Sequence, residues 1–304
     1  MASRKSEALR RAIQRAKPMF AGGSVQEQRI GLSLLSKVKP LPKGLKIARD
    51  VQSPVHSEWV RPEEGAPGDV AMLYLHGGAY CSGDLTYSRA LASAIAKSTG
   101  FNTYYIEYRL APEFPFPAAL EDALTAYFYM RDLGIPSKKI GLIGDSAGGG
   151  LALATALALR EKGEETPGAV VCLSPWADLS DIGESEYVSE NEDPILSAEG
   201  LRESARMYGG ADLKNPLISP AYGDYDRLFP PTLLHAGTKE ILLRDALKVK
   251  QRMEKQGAPV SMEIFEGMWH VWHLFNVPES EEAMKKIRVF LRSCFELERQ
   301  KEGI

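Results

Sequence analysis

Residues 139–159 read KIGLIGDSAGGGLALATALAL, a short apolar run followed by a glycine-rich turn and a stretch of small apolar residues. This pattern predicts a strand over 139–143, a sharp turn over 144–148 and then a buried helix. In that context the motif GDSAG lifts a serine hydroxyl clear of a sheet, and its glycines let the backbone bend without steric conflict. Ser146 is therefore the candidate nucleophile. The alternative is a glycine-rich anion loop, but the segment lacks the P-loop lysine and the G-x-G-x-x-G spacing of a dinucleotide site.

After residue 70, short apolar or β-branched runs alternate with helical patterns. This alternation is typical of a parallel sheet covered on both faces by helices. Residues 45–60 are expected to add two antiparallel strands at one edge, so the sequence predicts an α/β fold with a mostly parallel eight-stranded sheet. The predicted strands cover 70–75, 102–108, 140–143, 169–173, 232–236 and 260–265, and the predicted helices cover 86–98, 118–133, 147–162, 241–255 and 280–297.

Two regions interrupt the alternation. Residues 1–44 are helical in pattern but contain several prolines and glycines, and residues 178–225 contain short helical pieces between such residues. In open α/β sheets, ligands bind beyond the carboxyl ends of the strands, so insertions that emerge there cover the site. We therefore expect a helical cap made of 1–44 and 178–225, and a catalytic domain made of 45–177 and 226–304.

The overall composition narrows the range of partners. The 304-residue chain has a formal net charge of -3, which provides no general attraction to nucleic acid. Its longest apolar stretch, 147–159, is shorter than the roughly 18 to 20 residues of a bilayer span, so we expect no stable membrane insertion. The three cysteines form no C-x-x-C pair, and we find no targeting peptide, which together favour a cytoplasmic location.

A second motif follows the predicted strand 70–75. The run His76-Gly77-Gly78-Ala79 matches the H-G-G-G type of oxyanion loop, with alanine in place of the last glycine. A serine that attacks an ester generates an oxyanion, and backbone N–H groups aimed at one point stabilise it. We expect these donors on Gly77, Gly78 and Ala147. Taken alone, His-Gly-Gly could be any tight turn, but its pairing with the serine motif favours the oxyanion interpretation.

The general base must be one of five histidines. In enzymes with this serine motif, the order along the chain is Ser, then Asp or Glu, then His, which leaves three candidates after residue 146. His235 lies within an apolar predicted strand and is expected to be core. His270 follows the predicted strand 260–265 through a short loop, and we favour it over His273. A metal site at these last two histidines lacks a third ligand nearby in sequence.

The third member must be a carboxylate that orients the imidazole and stabilises its charged form. Glu240 is the first carboxylate after the predicted strand 232–236, so we assign the acid there. Its structural alternative is to stabilise the start of the next helix through the macrodipole. Asp245 competes for the role but falls more than a turn inside that predicted helix.

Taken together, these residues resemble the hormone-sensitive-lipase-like family of bacterial esterases, over roughly residues 45–297. The resemblance implies a capped α/β-hydrolase fold, a Ser-His-acid triad, no cofactor and a preference for short acyl chains. Many members have Asp-Pro-Leu at the acid, whereas this chain has Glu240-Ile241-Leu242. The matching motifs are HGGAY at 76–80, YRLAPE at 108–113, FPA at 116–118, GDSAGGG at 144–150, SPWADL at 174–179 and GMWH at 267–270.

The expected function is hydrolysis of small carboxylic esters through an acyl-enzyme intermediate. A deacetylase for one acetylated small molecule is an alternative, and a non-catalytic small-molecule receptor on the same fold is an alternative of a different class. A homodimer could form through an edge strand at 260–265. The aromatic residues expected to bind substrate are Tyr80, Trp176, Tyr208 and Trp269, although aromatic side chains are more often core.

Overall fold

The computed structural model describes residues 2–17, 25–35, 41–66, 69–182 and 192–296. Its strands form one eight-stranded sheet, which confirms the predicted α/β class. The strands are β1 (Leu45–Arg49), β2 (Ser57–Pro62), β3 (Ala71–Leu75), β4 (Asn102–Ile106), β5 (Ile140–Asp145), β6 (Ala169–Leu173), β7 (Thr232–Gly237) and β8 (Val260–Phe265). Their order across the sheet is β1-β2-β4-β3-β5-β6-β7-β8.

Helices connect these strands and precede the sheet. They are α1 (Arg4–Ala16), α2 (Val25–Leu35), α3 (Leu85–Thr99), α4 (Ala118–Asp132), α5 (Ala147–Glu161), α6 (Ala198–Gly209), α7 (Leu243–Gln256) and α8 (Pro278–Cys294). None of the described helices combines the length and the apolar character that a membrane span requires.

The sheet is antiparallel only at the edge formed by β1 and β2. The β1–β2 and β2–β4 pairs are antiparallel, and all other neighbouring strands are parallel. Every residue of β3, β5 and β6 is buried. Because side chains alternate between the two faces, Leu142 packs in one core cluster and Ile143 in the other. Central strands that are buried on both faces therefore have nearly continuous apolar sequences.

The element bounds differ from the predicted ones by a few residues. The strand expected over 102–108 ends at Ile106, because Tyr108 leaves the ladder and donates its hydroxyl hydrogen to the His76 carbonyl, 2.7 Å away. The helix expected from 241 begins at Leu243, because the preceding residues form a turn in which the Leu243 N–H donates to the Glu240 carbonyl. The helix expected over 280–297 begins at Pro278, and residue 297 lies outside the described residues.

Parallel strands bring their carboxyl ends to one edge of the sheet. The loops after β3, β5, β7 and β8 therefore meet at that edge, and these loops carry the oxyanion motif, Ser146, Glu240 and His270. Helices α1, α2 and α6 come from the two regions expected to form the cap. The division into cap and catalytic domain stays a prediction. Of the residues it assigns, 1, 18–24, 36–40, 67–68, 183–191 and 297–304 lie outside the described residues.

Candidate active site

Ser146 lies at the tight turn between β5 and α5. Its backbone φ is +54°, a left-handed conformation that is strained for a residue other than glycine. The flanking glycines are required by close packing: a Cβ atom on Gly144 would overlap the Gly148 carbonyl, and one on Gly148 would overlap the Leu75 carbonyl. The motif thus places a serine side chain at the carboxyl edge of the sheet, where a larger neighbour could not fit.

A continuous hydrogen-bonded chain joins Ser146, His270 and Glu240. The His270 Nε2 atom lies 2.9 Å from Ser146 Oγ, and its Nδ1 atom lies 2.9 Å from Glu240 Oε2. All three residues are buried, with Ser146 6% and His270 4% exposed. The structure therefore brings together the serine, base and acid that were assigned from three separate loops.

The surroundings of His270 favour its charged form. Burial alone would lower the pKa of His270, but the hydrogen bond that His270 donates to Glu240 and the negative charges of Glu240, Asp193 and Asp145 outweigh burial. The pKa of His270 is therefore raised above its ordinary value. An imidazole with a raised pKa is a stronger proton acceptor, which suits a group that takes a proton from a serine hydroxyl.

Glu240 has two further partners that determine where its carboxylate points. Its Oε1 atom accepts hydrogen bonds from the Gly237 N–H at 2.6 Å and from the Ser174 hydroxyl at 3.0 Å. Ser174 Oγ also accepts the Val271 N–H at 3.1 Å, so it connects the loop of the acid with the loop of the base. Ser174 belongs to the family motif at 174–179, and no role was predicted for it from the sequence. Its position directly after a buried strand is the sequence feature that could have indicated a role in the site.

The other residues considered for the acid and the base lie outside the hydrogen-bonded chain to Ser146. Asp245 accepts the N–H groups of Ala177 and Asp178 at 3.0 and 2.8 Å and takes no part in the chain of hydrogen bonds to Ser146. His235 and His273 are fully buried and contact each other, with His235 Nδ1 3.2 Å from His273 Nε2. The expectation that His235 is a core residue is confirmed.

The predicted oxyanion donor Gly77 is wrong. Its N–H donates to Asp145 Oδ1 at 3.0 Å, so this hydrogen is not available to a substrate. Within the described chain, the N–H groups of Gly78, Ala79 and Ala147 donate no hydrogen bond. Gly78 and Ala79 also lie on the lining of the same cavity as Ser146, and Ala79 has a φ of +54°. The candidate oxyanion donors are therefore Gly78, Ala79 and Ala147, since a buried carboxylate has taken the first amide of the run.

Asp145 is that carboxylate, and sequence reasoning gave it no role. It is fully buried and accepts the hydroxyl hydrogens of Tyr74 at 2.6 Å and Tyr87 at 2.7 Å as well as the Gly77 N–H. Burial raises the pKa of Asp145, although these three donors favour its charged form. The residue before the candidate nucleophile thus connects the serine turn to the oxyanion loop.

A cavity of about 480 Å³ opens beside Ser146 and His270. Helices α1, α2 and α6 contribute most of its remaining lining, together with the loops around 195 and 274. These lining residues are Ile13, Gln28, Gly31, Leu32, Ile195, Leu196, Ser197, Glu199, Gly200, Leu201, Glu203, Ser204, Val271, Leu274 and Phe275.

The four aromatic residues predicted to bind substrate are absent from this lining. Tyr80, Trp176, Tyr208 and Trp269 are at most 1% exposed and belong to the hydrophobic core. The Tyr80 and Tyr208 rings stack on each other with centroids 3.7 Å apart. A large aromatic side chain near a strand end fits a core as well as a pocket, so its identity alone did not distinguish the two.

A serine, a histidine and a carboxylate joined at the carboxyl edge of a mostly parallel sheet define the class of α/β serine hydrolases. The chain belongs to the alpha/beta hydrolase fold family, whose model matches residues 72–274. It is 42% identical over 243 residues to the acetyl-hydrolase of Streptomyces hygroscopicus, with 78% of this chain and 80% of that protein covered.

Solved structures agree with this family. An esterase of the bacterial hormone-sensitive lipase family superposes with a TM-score of 0.90 at 35% identity, covering 97% of this chain and 100% of that one. A crystal of EstE5 soaked with p-nitrophenyl butyrate gives a TM-score of 0.88 at 31% identity, with the same coverage. The chain is therefore a carboxylic ester hydrolase of the hormone-sensitive-lipase-like family.

Proposed function

We propose that the enzyme hydrolyses short-chain acyl esters of small alcohols, with Ser146 as nucleophile, His270 as general base and Glu240 as the acid that orients it. The observation that carries this proposal is the pair of 2.9 Å contacts from His270 to Ser146 and to Glu240, beside a cavity that also exposes the oxyanion loop. A cavity of about 480 Å³ beside the candidate nucleophile has room for a small ester.

The proposed reaction has two halves. His270 takes the Ser146 hydroxyl proton as Oγ attacks the ester carbonyl, and the resulting oxyanion is stabilised by the free N–H groups of Gly78, Ala79 and Ala147. His270 then gives this proton to the departing alcohol, which leaves the acyl group on Ser146. A water molecule then gives a proton to His270 as its oxygen attacks the acyl carbonyl. The bond from the acyl carbon to Ser146 Oγ breaks, His270 returns the proton to Oγ, and the carboxylic acid leaves.

Replacement of the nucleophile tests this proposal most directly. In Ser146→Ala we expect kcat on p-nitrophenyl acetate to fall by about 10⁶-fold, as for loss of a nucleophile in other serine hydrolases. Ser93→Ala is the matched control, because Ser93 is a fully buried serine on α3 that is not on the cavity lining. Near-normal turnover by Ser146→Ala would refute the assignment. Labelling of Ser146 by a fluorophosphonate probe checks the same point without a substrate.

The preferred acyl chain length is tested with a series of p-nitrophenyl esters from C2 to C16. Short-chain specificity predicts the highest kcat/KM at C2 to C4 and little turnover at C16. A deacetylase is the second candidate, favoured by the 42% identity to an acetyl-hydrolase. A deacetylase predicts a steep fall in kcat/KM from the C2 to the C4 ester of p-nitrophenol. A non-catalytic receptor is disfavoured, because relatives of the chain are esterases and acetyl-hydrolases and its serine and histidine are in contact.

A homodimer through β8 is a further part of this proposal. Strand β8 lies at the end of the sheet, and its Ile264 is a large apolar side chain that is 49% exposed. Among the described residues no strand pairs with the outer edge of β8, and such an edge with an exposed apolar residue favours pairing with a second copy. Light scattering after size-exclusion chromatography should give a dimeric mass, and Ile264→Lys should shift it towards the monomer. The cytoplasmic location expected from the sequence stays a prediction.

A further inference from the structure

Asp193 is a buried carboxylate that the proposed reaction does not use. It has no exposed surface, and three backbone N–H groups donate to it. Its Oδ1 atom accepts from Ile195 at 2.8 Å and Leu196 at 2.9 Å, and its Oδ2 atom accepts from Ile241 at 3.0 Å. The carboxylate thus joins two segments that are far apart in sequence.

Both segments belong to the site. Ile241 directly follows Glu240, so its N–H lies in the turn that carries the candidate acid, and Ile195 and Leu196 line the cavity. The Asp193 carbonyl also accepts a hydrogen bond from Lys17 Nζ at 2.7 Å, next to the end of α1. One residue therefore contacts the acid turn, the cavity lining and the N-terminal region.

Its charge also acts on the base. The charged groups that face His270 are the carboxylates of Glu240, Asp193 and Asp145, and His273 lies nearby as a second imidazole. Within the described residues no cation forms a salt bridge with the Asp193 carboxylate. Burial raises the pKa of Asp193, and the charge of His270 and the three backbone N–H groups act in the opposite direction.

We infer that Asp193 is a positioning residue, which holds the Glu240-Ile241 turn in register with His270 and fixes the cavity-lining pair Ile195-Leu196 to that turn. This inference rests on the proposed roles of Glu240 and His270. Asp193 does not touch the reacting atoms. It acts through the acid turn by its hydrogen bonds and on the imidazole by its negative charge.

Asp193→Asn tests both actions with little change in shape. The amide keeps an acceptor for one segment but removes the charge and one acceptor oxygen, so we expect kcat to fall about tenfold, far less than for loss of the nucleophile. The base must be neutral to act, so kcat/KM rises with pH through the pKa of His270 in the free enzyme. Removal of a nearby negative charge lowers the pKa of His270, so the acidic limb of the kcat/KM profile should move to lower pH, on the order of half a unit.

Asp245→Asn is the matched control. Asp245 is also buried and also accepts backbone N–H groups, at the start of α7, but the Ser146 hydrogen-bond chain does not include it. The Asp245→Asn substitution should leave the acidic limb of the kcat/KM profile in place. If Asp193→Asn does not fold, Asp193→Ser keeps a local acceptor for the Ile195 turn and again removes the charge, and the same shift is expected.

An acidic limb that stays in place in the folded Asp193 variant would overturn the inference, whatever happens to kcat, because a merely structural role lowers activity without moving that limb. An equal shift in Asp245→Asn would overturn it as well. Neither result would affect the proposed function, which depends on the outcome for Ser146→Ala.

Discussion

Gly77, beside Ser146, and Gly31, on α2, have opposite surroundings. A Cβ atom on Gly77 would overlap Asp145 Oδ2 and lie 3.0 Å from Ser146 Cβ, whereas one on Gly31 would meet no atom within 4 Å. Gly77 belongs to the floor of the site, which we define as the loops carrying residues 77–79, 145–147, 240 and 270. Gly31 belongs to its roof, the cavity-lining residues of α1, α2 and α6.

The floor and roof differ in packing and in polar contacts. Most floor residues are buried, and the side chains among them have specific partners, as Asp145 does with Tyr74 and Tyr87. Roof residues have more solvent contact, and Glu199 and Glu203 on α6 are exposed. Because close-packed regions cannot absorb an added atom without strain, the floor determines whether the chemistry proceeds. The looser roof is free to determine which ester enters.

Among the glycine substitutions that compare floor and roof, Gly77→Ala should have the largest effect. The added methyl group must displace either the Asp145 carboxylate or Ser146, and a small misplacement of a nucleophile costs on the order of 10² in rate. We expect kcat on p-nitrophenyl acetate to fall by about that factor, and overpacking to lower the free energy of unfolding by about 1–3 kcal/mol. Turnover and chemical denaturation measure the two effects.

The same substitution on the roof is its control. Gly31→Ala adds a methyl group to open space within a helix, so kcat should remain within about twofold of the wild type, and the free energy of unfolding should rise by up to about 1 kcal/mol, the helix-propensity difference. Equal losses of kcat in Gly77→Ala and Gly31→Ala would remove the distinction between floor and roof.

The floor was also the part that could be predicted from sequence. Ser146, Glu240 and His270 each follow a strand, and the parallel order brings the ends of those strands together, so local patterns sufficed to find them. The donor Gly77 was misassigned because the partner that takes its N–H, Asp145, is known only once the loops have folded. Ser174 was overlooked for a similar reason, since its role depends on contacts across loops.

The roof could not be predicted in the same way. Its helices come from the two regions expected to form the cap, α1 and α2 from one and α6 from the other, but no motif in them indicates which residues line the cavity. Aromatic content pointed instead to Tyr80 and Trp176, which pack in the core. The same apolar residue types pack against the protein core and against a ligand. Only the folded structure therefore distinguishes a core residue from a ligand-binding one.

Gly31→Leu should change selectivity while leaving the chemistry intact. The leucine side chain would enter open space on the cavity lining and occupy part of its volume of about 480 Å³. Steric exclusion in an apolar pocket is worth about 1–3 kcal/mol, so kcat/KM for a C8 p-nitrophenyl ester should fall by about tenfold or more relative to the acetate ester. The acetate ester itself should change by less than about twofold, because the floor is untouched. Gly31→Ala, which fills little of the cavity, should leave the C8 to C2 ratio nearly unchanged. A parallel loss on both esters would mean that α2 supports the reacting groups themselves, and that roof and floor act as one unit.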